Sequence, residues 1–251
     1  MLGDMDLIFR KDYVIHTYET DASGLAKTVS LLNYLQDAAG DHAGRLGLSV
    51  IDLFKRNMTW VLSRYHVRVH RYPAMGDRLE VTTWPSGKDG YFALRDFAVS
   101  DGTAGPLLAA TSSWMILGLE RKQPLKIGDV IDIPYVLDRR ALDDPFTALP
   151  IPSGRDSEVR FRVGSAHLDW NHHVNNAVYV QWALEAVPPD VLMNSRPVEL
   201  EVSYRAEAFY GDDVVSTVQR VPDDGYGPAF LHQLFSAAKG TELVRLRTRW
   251  E

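Results

Sequence analysis

Eleven consecutive residues, Asp169-Trp170-Asn171-His172-His173-Val174-Asn175-Asn176-Ala177-Val178-Tyr179, gather a carboxylate, carboxamides and imidazoles. An imidazole can take up and release a proton near neutral pH. A neighbouring carboxylate can orient it, and a carboxamide can orient either group or a water. In an extended stretch alternate residues share a face, so Asp169, Asn171 and His173 are expected to point together and His172 the other way. An apolar helix is expected directly afterwards, over Ala177 to Val187, stopped by Pro188-Pro189. A helix start offers unpaired N–H groups and a partial positive charge, which can hold a developing oxyanion. Such parts suit hydrolysis of, or addition at, a carbonyl. A capped helix start with surface polar groups explains the same residues, and spacing alone leaves both readings open.

Other chemistries lose support. The 251 residues include no cysteine, so no disulfide, thiolate metal site or cysteine nucleophile is possible. No G-x-S-x-G elbow, P-loop or G-x-G-x-x-G occurs. His167, Asp169, His172 and His173 lack the H-E-x-x-H type of spacing that zinc hydrolases use, so neither metal nor cofactor is expected. A net charge of −6 argues against nucleic acid. The acidic N-terminus does not read as a signal peptide, and no run approaches the ~18 apolar residues of a spanning helix. An intracellular protein without membrane insertion is expected.

The elements that must carry the cluster repeat along the chain. Alternating runs at Val61–Val69 and Val198–Glu207 each lead to Gly-Asp, at Gly76-Asp77 and Gly211-Asp212. Further strands are expected over Arg78–Trp84, Tyr91–Val99 and Leu107–Leu117. Their counterparts are Asp213–Val218, Ala229–Phe235 and Glu242–Trp250. Landmarks are displaced by 135 (Gly76 to Gly211), 138 (Gly102 to Gly240) and 136 positions (Trp114 to Trp250). A helix over about Val29–Leu46 carries the stripe Leu31, Leu35, Ala38, Ala39, His42, Leu46, with Gly40 and Gly44 among the small residues suited to close packing. The expected fold class is α+β: two tandem units, each one long helix wrapped by a curved antiparallel sheet. The first covers residues 1–133, a linker with Pro134, Pro145, Pro150 and Pro152 covers 134–157, and the second covers 158–251.

The pattern Asp169-x-Asn171-x-His173-Val174-Asn175-Asn176-x-x-Tyr179 resembles the acyl-acyl-carrier-protein thioesterase family of bacteria and plant plastids. Trp60-Val61-Leu62-Ser63-Arg64, Tyr72-Pro73-x-x-Gly76-Asp77, Thr83-Trp84-Pro85, Arg95-Asp96-Phe97, Ala110-Thr111-Ser112-Ser113-Trp114 and Tyr204-Arg205-Ala206-Glu207 carry the likeness over nearly the whole chain. The resemblance implies a tandem hotdog fold. It implies hydrolysis of fatty acyl-acyl carrier protein, releasing free fatty acid and ending its synthesis. It implies catalytic roles for Asp169, Asn171, His173 and Glu207. Plant members carry a cysteine just after that glutamate; Ala208 stands here, so a carboxylate-based route is expected. The missing plastid extension points to a bacterial-type, cytoplasmic protein.

Two routes are open at this point. Glu207, aided by His173, activates a water, or it attacks the thioester directly to form a transient anhydride. Asn175 and Asn176 are candidate substrate contacts. The counterpart of the cluster in the first unit, Asp21 to Lys27, has no histidine or asparagine. By the resemblance that unit would hold the acyl tail, with Leu31, Leu35, Met58 and Trp60 as candidates. The implied partner is acyl carrier protein, docking on Arg68, His70 and Arg71 or on Arg245, Arg247 and Arg249. A monomer or a homodimer is expected. Two rival readings are a non-catalytic acyl-thioester-binding protein and an enoyl-thioester hydratase. The hydratase signature, Asp-x-Asn-Pro-x-His, sets its histidine five residues after the aspartate, against four here.

Overall fold

Each alternating run is a strand, and the repeat read from the sequence extends to strand order. A computed structural model describes residues 7–103, 105–131, 136–222 and 225–251. Pro134 and the N-terminal residues 1–6 lie outside them. The chain divides into two units, Met1–Pro145 and Phe146–Glu251. The first contains β1 (Phe9–Val14), α1 (Thr28–Arg45), α2 (Val50–Phe54), β2 (Met58–Val69), β3 (Arg78–Asp89), β4 (Phe92–Ser100), β5 (Leu108–Gly118), β6 (Gln123–Leu125) and α3 (Ile127–Val130). The second contains β7 (Ser157–Arg162), α4 (Asn176–Leu184), α5 (Pro189–Asn194), β8 (Pro197–Tyr204), β9 (Asp213–Arg220), β10 (Ala229–Ser236) and β11 (Glu242–Trp250).

Strand order in the first unit is β1-β3-β4-β5-β2, with the short β6 on β5; in the second it is β7-β9-β10-β11-β8. All these pairings are antiparallel, and the two orders correspond strand for strand. The correspondence reaches side chains. Trp114 Nε1 donates to Ser112 Oγ at 2.8 Å, and Trp250 Nε1 donates to Thr248 Oγ1 at 2.9 Å.

The long helix α1 buries Leu31, Leu35, Ala38, Ala39 and His42 and packs on β1 and β3. Leu46 lies just past its end and is only partly buried; Gly40 and Gly44 face solvent, so the close-packing expectation holds for the alanines alone. α4 is shorter than the sequence suggests. The Ala186 and Val187 amides bond to the carbonyls three residues back, Ala183 and Leu184, which tightens the last turn. Pro189 does not simply end a helix; it opens α5, where its missing N–H costs nothing.

The segment entering the Pro-containing linker is fastened to the first unit. Trp84 Nε1 donates to the Arg139 carbonyl at 2.7 Å, and Arg140 reaches Thr111 Oγ1 at 2.7 Å. His66 Nδ1 lies 2.8 Å from Asp144 Oδ2. Beneath them Asp96, fully buried, accepts from Ser86 Oγ and from the Ala141 amide at 2.7 Å and faces Arg140 Nε at 3.2 Å. A buried carboxylate needs this much company, because an unpaired one is strongly disfavoured away from water.

Candidate active site

The cluster is a tight turn rather than an extended stretch. Asp169 N–H donates to the His173 carbonyl at 2.8 Å, and His172 N–H donates to the Asp169 carbonyl at 3.0 Å. Asp169 Oδ1 accepts from the Asn171 and His173 amides at 2.8 and 3.3 Å. His172 takes φ +63° to close the loop. Alternation along an extended strand therefore does not explain how Asp169, Asn171 and His173 are grouped. The Asp169 carboxylate organises the turn from within, and the turn sets the other two. His172 is exposed. His167 Nδ1 accepts from the Gly164 amide at 2.9 Å, and its ring meets Trp182 edge-on at 5.1 Å, a local structural role.

From this turn His173 Nδ1 reaches Glu207 Oε1 at 3.0 Å. The pair is open to solvent, the side chains being 32% and 47% exposed. With Nδ1–H directed at the carboxylate, Nε2 is left as the nitrogen that can accept a proton. Glu207 does not sit in β8, which ends at Tyr204; it lies on the loop beyond. The loop is held by a bridge between His173 and Phe209 and by Val174 N–H donating to the Ala208 carbonyl at 3.0 Å. Phe209, missed in the sequence, meets the His173 ring edge-on at 5.0 Å and limits its rotation. The Gly76/Gly211 landmark was the available signal, since its 135-residue displacement makes Phe209 the counterpart of Ala74, which bridges Leu25 as Phe209 bridges His173.

The other expected residues separate. The Asn171 side chain makes no hydrogen bond among the described residues, which leaves its carboxamide available. Asn175 Oδ1 caps α4 by accepting from the Ala177 amide at 2.8 Å, and the Asn175 carbonyl takes the Val178 amide. Among the first amides of α4 this leaves Asn176 N–H without an acceptor among the described residues. The Asn176 carbonyl accepts from Tyr204 Oη at 3.1 Å. Met58 and Trp60 pack with Leu53, Ala93, Ile116, Ile127 and Ile131, whereas Leu31 and Leu35 lie on the buried face of α1. Among the described residues no group of three or more His, Asp or Glu is arranged to hold a metal ion.

One docking candidate changes. Arg245, Arg247 and Arg249 do not form a free basic stripe. Arg245 is buried and forked on Glu242 at 2.7 and 2.8 Å, and Arg247 and Arg249 face Glu201 and Glu199 at 3.5 and 3.8 Å. Arg245 is paired within its own strand β11, and cross-strand pairing with β8 places Arg247 and Arg249 opposite acidic residues. Arg68, His70 and Arg71 are exposed, and Arg71 pairs with Asp101 at 2.6 Å.

The first unit builds the same turn without the chemistry. Asp21 N–H donates to the Leu25 carbonyl at 3.0 Å, Gly24 N–H to the Asp21 carbonyl at 3.0 Å, and Asp21 Oδ1 accepts from the Ser23 amide at 2.8 Å. Gly24, at φ +78°, stands where His172 stands. Leu25, Ser23 and Tyr72 take the positions of His173, Asn171 and Glu207. The turn is a feature of the fold, and the histidine, asparagine and glutamate stand in the second unit's copy of it.

Comparison with known proteins agrees with this architecture. Residues 6–135 match the acyl-ACP thioesterase N-terminal domain and residues 152–251 the acyl-ACP thioesterase C-terminal domain. A chloroplastic acyl-[acyl-carrier-protein] hydrolase of Cuphea viscosissima is 34% identical over 97% of this chain and 63% of its own length. A chloroplastic dodecanoyl-[acyl-carrier-protein] hydrolase of Cinnamomum camphora is 31% identical over 99% of this chain and 69% of its own. The solved 12:0-ACP thioesterase of Umbellularia californica superposes with a TM-score of 0.85 at 26% identity, over 98% of this chain and 94% of that one. The fold is the tandem hotdog fold. The chain belongs to the acyl-ACP thioesterase family, and it spans 63% of the length of the Cuphea relative.

Proposed function

We propose that this protein hydrolyses the thioester joining a fatty acyl chain to acyl carrier protein, using Asp169, Asn171, His173 and Glu207. The observation that carries the reading is the 3.0 Å contact between His173 Nδ1 and Glu207 Oε1 in a solvent-open turn. Glu207 holds the imidazole in the tautomer whose Nε2 accepts a proton from water. The activated water attacks the thioester carbonyl. Asn171 and the Asn176 amide are the donors available to the oxyanion that forms. Asp169 keeps the turn closed. The thiolate of the carrier's pantetheine arm is a good leaving group, so no strong acid is required.

The first unit, lacking the pair, takes the acyl tail, with Leu31, Leu35, Met58 and Trp60 as its candidate contacts. Carrier protein docks through Arg68, His70 and Arg71. A cytoplasmic location is part of this proposal; among the described residues no helix is long and apolar enough to cross a membrane. Thiol release from acyl-carrier-protein and coenzyme A thioesters of several chain lengths tests the activity. Turnover with the carrier-protein substrates is expected. Stable, uncleaved acyl thioester after hours would favour a binding protein, and water addition to a trans-enoyl thioester would favour a hydratase.

A further inference from the structure

The internal repeat exposes a device that exists only in the second unit. Ala208 follows Glu207 and is fully buried. Its carbonyl accepts from Val174 N–H, as the Pro73 carbonyl accepts from Ala26 N–H at 2.8 Å in the first unit. Pro73 and Ala208 are therefore equivalent positions. Pro73 has no N–H to satisfy. Ala208 has one, buried away from water, and a buried amide without an acceptor is costly. Its acceptor is Tyr179 Oη at 2.7 Å. The helix starts at Thr28 and Asn176 correspond, so Tyr179 occupies the position of Leu31, which has no polar atom. Leu31 goes with Pro73, and Tyr179 goes with Ala208.

This bond closes a frame around the reacting pair. The Glu207–Ala208 peptide is held at its N–H by Tyr179, on α4. The next peptide is held at its C=O by Val174, the residue after His173. Tyr179 itself is 2% exposed, with its ring edge-on to Trp182 at 5.8 Å. Burial pushes its phenol well above the ordinary range, so it stays protonated while it accepts. We propose that Tyr179 is a positioning residue, whose hydroxyl, through the Ala208 amide, sets the Glu207 carboxylate against His173 Nδ1. This inference rests on the thioesterase reading for its kinetic consequence, but not for the bond itself.

The test uses the whole chain as Tyr179→Phe, Ala208→Pro and the double variant. Thermal midpoint, kcat and KM on a fatty acyl carrier-protein thioester, and the NMR signal of the His173 Nδ1 proton without substrate are measured. Tyr179→Phe is expected to lose about 5 °C of midpoint through the orphaned amide. It should lose about tenfold in kcat with KM within about twofold, and the Nδ1 proton signal should broaden into solvent exchange. The double variant, which removes the orphaned N–H as Pro73 does, should regain midpoint over Tyr179→Phe without regaining kcat. An unchanged kcat and Nδ1 signal in Tyr179→Phe would overturn the proposal. So would recovery of kcat together with midpoint in the double variant, since that pattern is structural only. A wild-type protein that releases no thiol while its Nδ1 signal still answers to Tyr179→Phe would remove the thioesterase reading and leave the positioning role standing.

Discussion

At the residue scale, the proposed site rests on a turn that Asp169 closes from within and that presents His173 to Glu207 at 3.0 Å. The carboxylate, carboxamide and imidazole of Asp169, Asn171 and His173 announced a polar site, and Glu207 was reachable only through the family pattern. The turn was hidden because its closing residue, His172, adopts a left-handed backbone that sequence patterns reserve for glycine. Gly24 in the first unit was the available clue. Replacing His172 with Gly should relieve that strain, raising stability by about 1 kcal/mol in a denaturant titration; a loss of stability would show the His172 side chain contributing contacts of its own. If Glu207 sets the His173 tautomer as proposed, attack by water is favoured over attack by the carboxylate. Single-turnover hydrolysis in isotopic water should place the label in the fatty acid alone. Label in the Glu207 or Asp169 carboxylate would establish an acyl-enzyme instead.

Elements were more legible than residues, because period-two alternation and the Gly-Asp landmarks survive in both halves. What escaped was where elements stop. β8 ends at Tyr204 although its alternation runs on to Glu207 in the sequence, since the Arg205 and Ala206 amides both turn onto the single Leu243 carbonyl of β11 and the next residues, Ala208 and Phe209, pair with the His173-Val174 turn. Segment 137–144 carries no periodic signal, and the buried Asp96 that anchors it looked like any strand aspartate. In the second unit α4 is tied to the sheet by His232, fully buried between the Ala183 carbonyl (3.1 Å) and Thr248 Oγ1 (2.8 Å). Burial pulls its pKa down to about 3. Above pH ~6.5 both folded and unfolded chains hold it neutral, and stability is intact. Below that the unfolded chain takes the proton first, so stability should fall by about 1.4 kcal/mol per pH unit until pH nears the folded value. Urea titrations between pH 6.5 and 4 should show that slope, and His232→Leu should flatten it by one proton; equal slopes would contradict the assignment. Gly227 is a second element-level constraint. At φ +90°, a Cβ there would lie 2.3 Å from the Trp250 carbonyl oxygen. Gly227→Ala should cost more than about 2 kcal/mol in the same measurement.

At the scale of the whole molecule, duplication of one fold is the organising fact. Both units share strand order, the Asp-centred turn and the Trp-to-hydroxyl contact, yet the proposed His173–Glu207 pair has Leu25 and Tyr72 as its counterparts in the first unit. The repeat itself was readable from displacements near 136 positions. The identity of the docking surface was not, because arginines at alternate strand positions look alike whether solvated or cross-paired, and Arg245, Arg247 and Arg249 proved to be paired. If Arg68, His70 and Arg71 steer an acidic carrier protein, KM for carrier-protein substrates should rise between low and high salt, while KM for coenzyme A thioesters changes less. A KM indifferent to salt would remove electrostatic docking. The proposed hydrolysis depends on the His173–Glu207 pair at 3.0 Å, and the decisive measurement is turnover of a fatty acyl carrier-protein thioester by the intact chain and by Glu207→Gln. Glu207→Gln keeps the shape and removes the carboxylate, so kcat should fall by about 10²- to 10³-fold with the fold intact by circular dichroism. Turnover by Glu207→Gln within about threefold of the unsubstituted protein would contradict the assignment of this site.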